Sequence, residues 1–145
     1  MKRTALKRRA PLKSTKPNKR PATTARKKLD ALFSRYIRFS AVEKDGLVSC
    51  YTCPKRDVPG KMQNGHFIPR QYLALRYDEV NNHPQCYACN MLYNGQPGAY
   101  AVRLEREYGE GTVAMLEGKR RLIIPDFPYE HWIAVYEEKL AALGV

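Results

Sequence analysis

Acidic residues are absent from the first 28 positions of this chain, and long apolar runs are absent from all of it. No stretch approaches the roughly 20 apolar residues that a membrane-crossing helix needs. The basic start is not followed by the uninterrupted apolar segment of a secretory signal. These absences lead us to expect a soluble protein of the cytoplasm with no membrane partner. Cysteine and histidine are scarce, at four and three in 145 residues. Four cysteines in a chain with no visible leader argue against a disulfide scaffold and for a metal site.

Charge is distributed unevenly. Of the 26 Lys and Arg residues, 12 lie in the first 28 positions, leaving 14 to face all 14 acids. The whole formal net charge of +12 therefore resides in the leading segment. Lys and Arg displace the counterions condensed on phosphates, so a polycation joined to a neutral body reads as a nucleic-acid-binding arm, with a solubilising or targeting tail as the alternative. Pro11, Pro17 and Pro21 break any helix there. Residues 1–23 are expected to be a disordered basic arm, with Lys7, Arg8, Arg9, Lys19 and Arg20 among its DNA contacts.

Residues 24–145 are expected to form one domain. Thr24 is placed to cap a first helix running to about Glu43, with Leu29, Leu32, Phe33, Tyr36 and Ile37 on one face. That helix is expected to pack over the metal module as structure, without chemistry. Leu47–Ser49 and Asn64–Arg70 read as strands, and Gln71–His83 as irregular. A helix should begin near Tyr87, and others should span roughly 98–108, 112–117 and 129–143. The order points to a small α+β domain.

Cys50/Cys53 and Cys86/Cys89 form two Cys-x-x-Cys pairs. Two such turns supply the four thiolates of a structural Zn²⁺, leaving no open position for catalysis. The pairs are separated by 32 residues, more than the roughly 15–20 of a compact ribbon. The excess accommodates a hairpin carrying His66. Hydrolysing a phosphodiester needs a base for water and a cation for the charge developing on phosphate. Neutral His66 suits the first task. Asn90 can offer an amide oxygen to a hard cation or bond its own backbone, and Asn81 can brace the histidine loop or serve a plain turn. Arg70 and Arg76 can clamp phosphate or pair with an acid such as Asp78 or Glu79. His83 can orient the loop, reach phosphate or do neither. Tyr72, Tyr77, Tyr87 and Tyr93 are expected to pack around the zinc module, with base stacking as the alternative.

The sequence Gly-His-Phe-Ile-Pro-Arg from Gly65, the run Asn-Asn-His-Pro-Gln-Cys-x-x-Cys-Asn ending at Asn90, and a later Tyr-Gly resemble the NinG (Rap) recombination proteins of lambdoid phages. The wider arrangement is similar to the His-Asn-His (HNH, ββα-metal) nucleases, particularly zinc-bearing phage endonuclease VII. This resemblance implies a treble-clef-like ββα-metal core flanked by helices. It also implies a divalent-metal-dependent endonuclease, using Mg²⁺ or Mn²⁺, that acts on branched DNA such as Holliday junctions and D-loops. By it, His66 is the general base, Asn90 a ligand of the catalytic ion and Asn81 the middle Asn. One position departs. Such nucleases place an acidic metal ligand immediately before the histidine, and here that residue is Gly65, with Asn64, Asp78 and His83 as candidates to replace it. Cutting paired strands suggests a homodimer, with the C-terminal helices as its expected interface. The alternative is a non-catalytic zinc-ribbon accessory protein that binds nucleic acid.

Overall fold

The computed structural model describes residues 21–145. The arm contacts at Lys7, Arg8, Arg9, Lys19 and Arg20 lie outside the described residues. Helix α1 spans Pro21–Ser40, starting three residues before the expected Thr24 cap. Proline suits a first helical position, because its fixed φ is helical and no intrahelical partner awaits an N–H there. The helix ends at Ser40, short of Glu43, and Gly46 turns the chain at φ +81°.

Leu29, Phe33 and Ile37, spaced four apart, are buried against Ile133 and Tyr136 of α5, Tyr129–Ala142. Phe33 meets Tyr136 edge-on with ring centroids 5.0 Å apart, and meets Tyr77 at 5.6 Å. The main partner of α1 is thus the C-terminal helix, although α1 also crosses the strands that carry His66. The apolar face of α5 is consequently occupied within the chain.

Two short antiparallel hairpins lie between these helices. In the first, β1 (Val48–Ser49) pairs with β2 (Arg56–Asp57), and the turn between them carries Cys50 and Cys53. In the second, β3 (Gln63–His66) pairs with β4 (Asn82–Gln85). The expected strand over Asn64–Arg70 therefore stops at His66, and Ile68 turns inward to pack with Leu75, Tyr100, Leu104 and Leu116. Strand β4 falls in a stretch expected to be irregular. Asn, His, Pro and Gln have little intrinsic preference for strand. Pairing and burial hold them, and all four are buried.

After Cys86 the chain makes one wide helical turn, Ala88–Leu92, in place of the helix expected to begin near Tyr87 and to be interrupted at Asn94-Gly95. Tyr93 N–H bonds the Ala88 carbonyl five residues back at 2.9 Å, and Asn94 and Gln96 then adopt left-handed φ of 50° and 52°. Besides α2, a single turn at Leu73–Arg76 between β3 and β4, helices α3 (Pro97–Tyr108) and α4 (Thr112–Lys119) follow, close to their expected bounds. The result is a mixed helix and small-sheet fold. No helix among the described residues is long and apolar enough to cross a membrane.

Gly65 has a local cause. Gln85 folds across it, its Nε2 donating to Thr52 Oγ1 and to the Gly95 carbonyl, each at 2.8 Å. A Cβ on residue 65 would lie 2.1 Å from Gln85 Oε1. A Gly65→Ala substitution should cost about 1–3 kcal/mol in urea unfolding. The same change in a Gln85→Ala background should cost much less, and equal costs in the two backgrounds would show that this contact is not the constraint.

Candidate metal centre and histidine cleft

The turn between β1 and β2 brings Cys50 and Cys53 to the segment that leaves β4, where Cys86 and Cys89 stand. The four sulfurs all lie within 4.8 Å of one another, and those of Cys53 and Cys86 are 3.8 Å apart. A tetrahedron with Zn–S of about 2.3 Å has edges of about 3.8 Å, so this donor set fits a structural zinc ion. Burial and the three neighbouring sulfurs push the Cys53 thiol up to about 12. Burial also opposes ionisation of Cys50, yet the amides of Cys86 and Thr52 hold that thiol at about 7. Thiols this crowded resist ionising together, and a dication removes that resistance.

Alternation along β3 sends Asn64 and His66 to one face and Gln63 and Gly65 to the other. The His66 face looks towards α1 across a cavity of about 120 Å³ lined by Asp30, Phe33, Ser34, Asn64, His66, Arg70, Arg76 and Tyr77. Burial first, then the charges of Arg76 and Arg70, hold the His66 imidazole down at about 4. The ring is therefore neutral near pH 7 and able to accept a proton.

Both expected arginines line this cavity, but they differ. Arg76 is locked: Nε and Nη2 grip the Asp30 carboxylate at 2.7 and 2.6 Å, and Nη1 holds the Arg70 carbonyl at 2.9 Å. Its acid partner is Asp30, where Asp78 or Glu79 was expected. Arg70 itself is exposed at the mouth. Tyr77 Oη also donates to Asp30 at 2.8 Å. Burial works against ionisation of Asp30, but Arg76 and Tyr77 hold its carboxyl below the usual range. Helix α1, expected to be free of chemistry, thus supplies Asp30 and Ser34 to the histidine cleft. Nothing in the local sequence around Asp30 marks it, because its role depends on a partner 46 residues away.

Asn81 is fully buried. Its Oδ1 accepts from Ile68 N–H at 2.8 Å, and its Nδ2 donates to the Ile68 and Leu75 carbonyls. It clamps the loop that begins just after His66. Asn82 Nδ2 bonds the carbonyls of Leu75, Arg76 and Asp78, which leaves its Oδ1 to accept from Asn64 Nδ2 at 3.1 Å.

Asn90 is placed apart from His66. Its Nδ2 donates to Gln63 Oε1 at 2.7 Å, which puts it on the Gly65 face of the hairpin. His83 is 9% exposed, with its ring nitrogens bonded to Tyr100 and Tyr108 hydroxyls at 3.1 and 2.9 Å and its face stacked on Tyr51 at 3.9 Å. Burial and Arg103 hold it at about 4. Both nitrogens being engaged, His83 sits as a core residue rather than at a phosphate. Asp78 caps Val80 N–H and pairs with Lys119.

A divalent ion beside His66 would need oxygen donors from the surrounding side chains. On that face Asn64 Oδ1 is buried and accepts no hydrogen bond from the described residues, while Asp30 is committed to Arg76 and Tyr77. Asn90 lies on the other face, and Gly65 offers no donor. The side-chain oxygens free to coordinate at this cavity, Asn64 Oδ1 and Ser34 Oγ, are neutral, and its carboxylate is taken by Arg76, so this set does not fit a hard dication held by the protein alone.

Two outcomes are expected. Removing metal with a chelator should collapse the near-UV circular dichroism of the tyrosine-rich region around the cysteines, and an unchanged spectrum would contradict a structural metal. Acid should destabilise the fold through buried His83 and half-buried His66. The unfolded chain takes up these protons near pH 6.5, and the folded one only near 4. Stability is thus full above about 6.5 and lost as pH falls towards about 4, on the order of a few kcal/mol. Urea unfolding of a His66→Gln variant should lack that residue's share of the slope, and an unaltered slope would contradict a His66 held neutral in the cleft.

A family model described as the bacteriophage lambda NinG protein matches residues 1–144. No curated protein matches the chain, and no solved structure does.

Proposed function

This chain belongs to the family of the bacteriophage lambda NinG protein, and on that premise we propose that it is a structure-selective DNA endonuclease acting on branched DNA such as Holliday junctions or D-loops. The observation that carries the reading is the cleft in which a neutral His66 stands beside Arg70 and the Arg76–Asp30 pair. His66 accepts a proton from water as that water attacks phosphorus, while the bond from phosphorus to the 3′ oxygen breaks and the departing oxygen takes a proton from solvent. Arg70, exposed at the cavity mouth, grips the non-bridging oxygens on which charge develops. Arg76 adds fixed positive charge, reduced by its bond to Asp30. Asn81 acts at one remove by holding the loop after His66. The hairpin β3–β4 followed by the turn at Ala88–Leu92 supports a ββα reading of the core, with Asn90 on its last element.

The resemblance also implies Mg²⁺ or Mn²⁺, a divalent ion that would stabilise charge on the leaving oxygen when bound. The donors around His66 do not fit such an ion held before substrate arrives, so no step here is derived through it. The basic arm supplies affinity without sequence information, and selectivity for branches comes from shape and deformability. A homodimer is the simplest assembly for cutting paired strands.

Gly65 favours a second reading. Gln85 fills the space a carboxylate side chain would occupy there, as suits a zinc-bearing accessory protein that binds DNA without cutting. A labelled four-way junction and a matched linear duplex, each with zinc-loaded protein and with or without Mg²⁺ or Mn²⁺, separate the readings. Cuts near the branch should fall about 10²–10⁴-fold in His66→Ala, with binding retained. Tight binding without cuts in either metal would replace the nuclease by the accessory protein.

A further inference from the structure

Two of the tyrosines expected to pack around the zinc module do not pack. Tyr87 and Tyr93 are 55% and 59% exposed, and between them Met91 and Leu92 are 56% and 61% exposed. Four large apolar side chains thus crowd one wide turn, at a place where the chain is otherwise held hard. Cys86 and Cys89 anchor the turn from below, Asn90 ties it to Gln63, and the Gly95 carbonyl accepts from Gln85. A ridge on so firm a base keeps its shape without a partner, and its exposure is not a fraying end.

The surroundings indicate the occupant's chemistry. From Val80 to Leu104 the chain contains no acid. A groove of about 470 Å³ runs between the first knuckle and α3, with Arg103 and Arg106 on its wall and no acid among its lining residues. Arg103 also pairs weakly with Glu107 at 3.9 Å, so Arg106 carries more of the groove's uncompensated charge. The two features are joined through one side chain, because Gln85 bonds both Thr52 in the groove wall and Gly95 just beyond the ridge. Apolar and aromatic faces beside a cationic groove match single-stranded nucleic acid, whose bases stack on aromatic rings while its phosphates follow positive charge. Short apolar side chains also wedge between bases at distorted steps.

We infer that Tyr87, Met91, Leu92 and Tyr93 form a stacking ridge for unpaired bases, with the flanking phosphates lying in the Arg103/Arg106 groove. This deepens the branched-DNA reading, since junctions and D-loops carry bases freed from their stack. The ridge sits on the hairpin of His66: Gln63, which holds Asn90, is three residues before it, about 10 Å along the strand. The cleft opens on the opposite face of that hairpin.

The test is fluorescence anisotropy with full-length, zinc-loaded protein on a duplex bearing a four-nucleotide gap, the same duplex intact, and the gap filled with abasic residues that keep the phosphates. The wild type should prefer the gap over the intact duplex by about tenfold or more, and the abasic gap should lose that preference. Leu92→Ser/Tyr93→Ser should lose the preference while binding intact duplex as before. Tyr87→Phe/Tyr93→Phe should keep it, and Arg106→Glu should weaken gap binding several-fold. An equal preference for abasic and normal gaps, or full preference in the serine variant, would overturn the inference. So would serine substitutions whose only effect, in sedimentation, is on self-association. His66→Ala should bind the gap like wild type, so a failure of cleavage and a failure of the ridge are read separately.

Discussion

Convergence of two distant turns on one set of four sulfurs is the constraint on which the rest depends. Cys50 and Cys53 sit in the turn of the first hairpin, and Cys86 and Cys89 follow the second. Closing the 32-residue interval between the pairs costs entropy that grows only slowly with length, and metal-ligand bonds offset it readily. Once closed, the interval must fold back on itself. That return holds a weak strand, Asn82–Gln85, against Gln63–His66, fixing which residues face α1 and which face the knuckle.

The two faces of this one hairpin have different chemistry. Towards α1 lies the cleft, where burial and two arginines keep an imidazole neutral beside an ion pair. Towards the knuckle lie Gln85, Gly65 and Asn90, tied by amide hydrogen bonds and continuous with the exposed aromatic turn. Under the proposed function, a proton acceptor on one face and an exposed aromatic turn beyond the other would let the protein hold distorted DNA while reaching a single phosphate. The Arg76–Asp30–Tyr77 network couples α1 to the cleft, so the helical layer acts as the wall of the site as well as its support.

Much of this was legible in the sequence, for identifiable reasons. Paired Cys-x-x-Cys spacing is local and chemically specific, and the stripe of Leu29, Phe33 and Ile37 repeats at helical period, so the sulfur cluster and α1 could both be read. Strand β4 could not, because Asn-His-Pro-Gln carries no strand propensity and is held by tertiary pairing. Asp30 gave no signal, because its meaning lies in Arg76. Gly65 looked like a missing acid, and only the path of Gln85 over it supplies a steric cause. Tyr87 and Tyr93 were read as packing residues, since composition alone does not distinguish a buried aromatic from a presented one.

The central claim is that the His66 cleft receives the scissile phosphate. It is tested most directly by a crystal structure of the zinc-loaded protein on a four-way junction with a non-hydrolysable linkage at the branch. A phosphate should lie within hydrogen-bond reach of the His66 ring through one water, with the Arg70 guanidinium on a non-bridging oxygen. A phosphate seated on the Asn90 face, or DNA bound with the cleft sealed and empty, would contradict it.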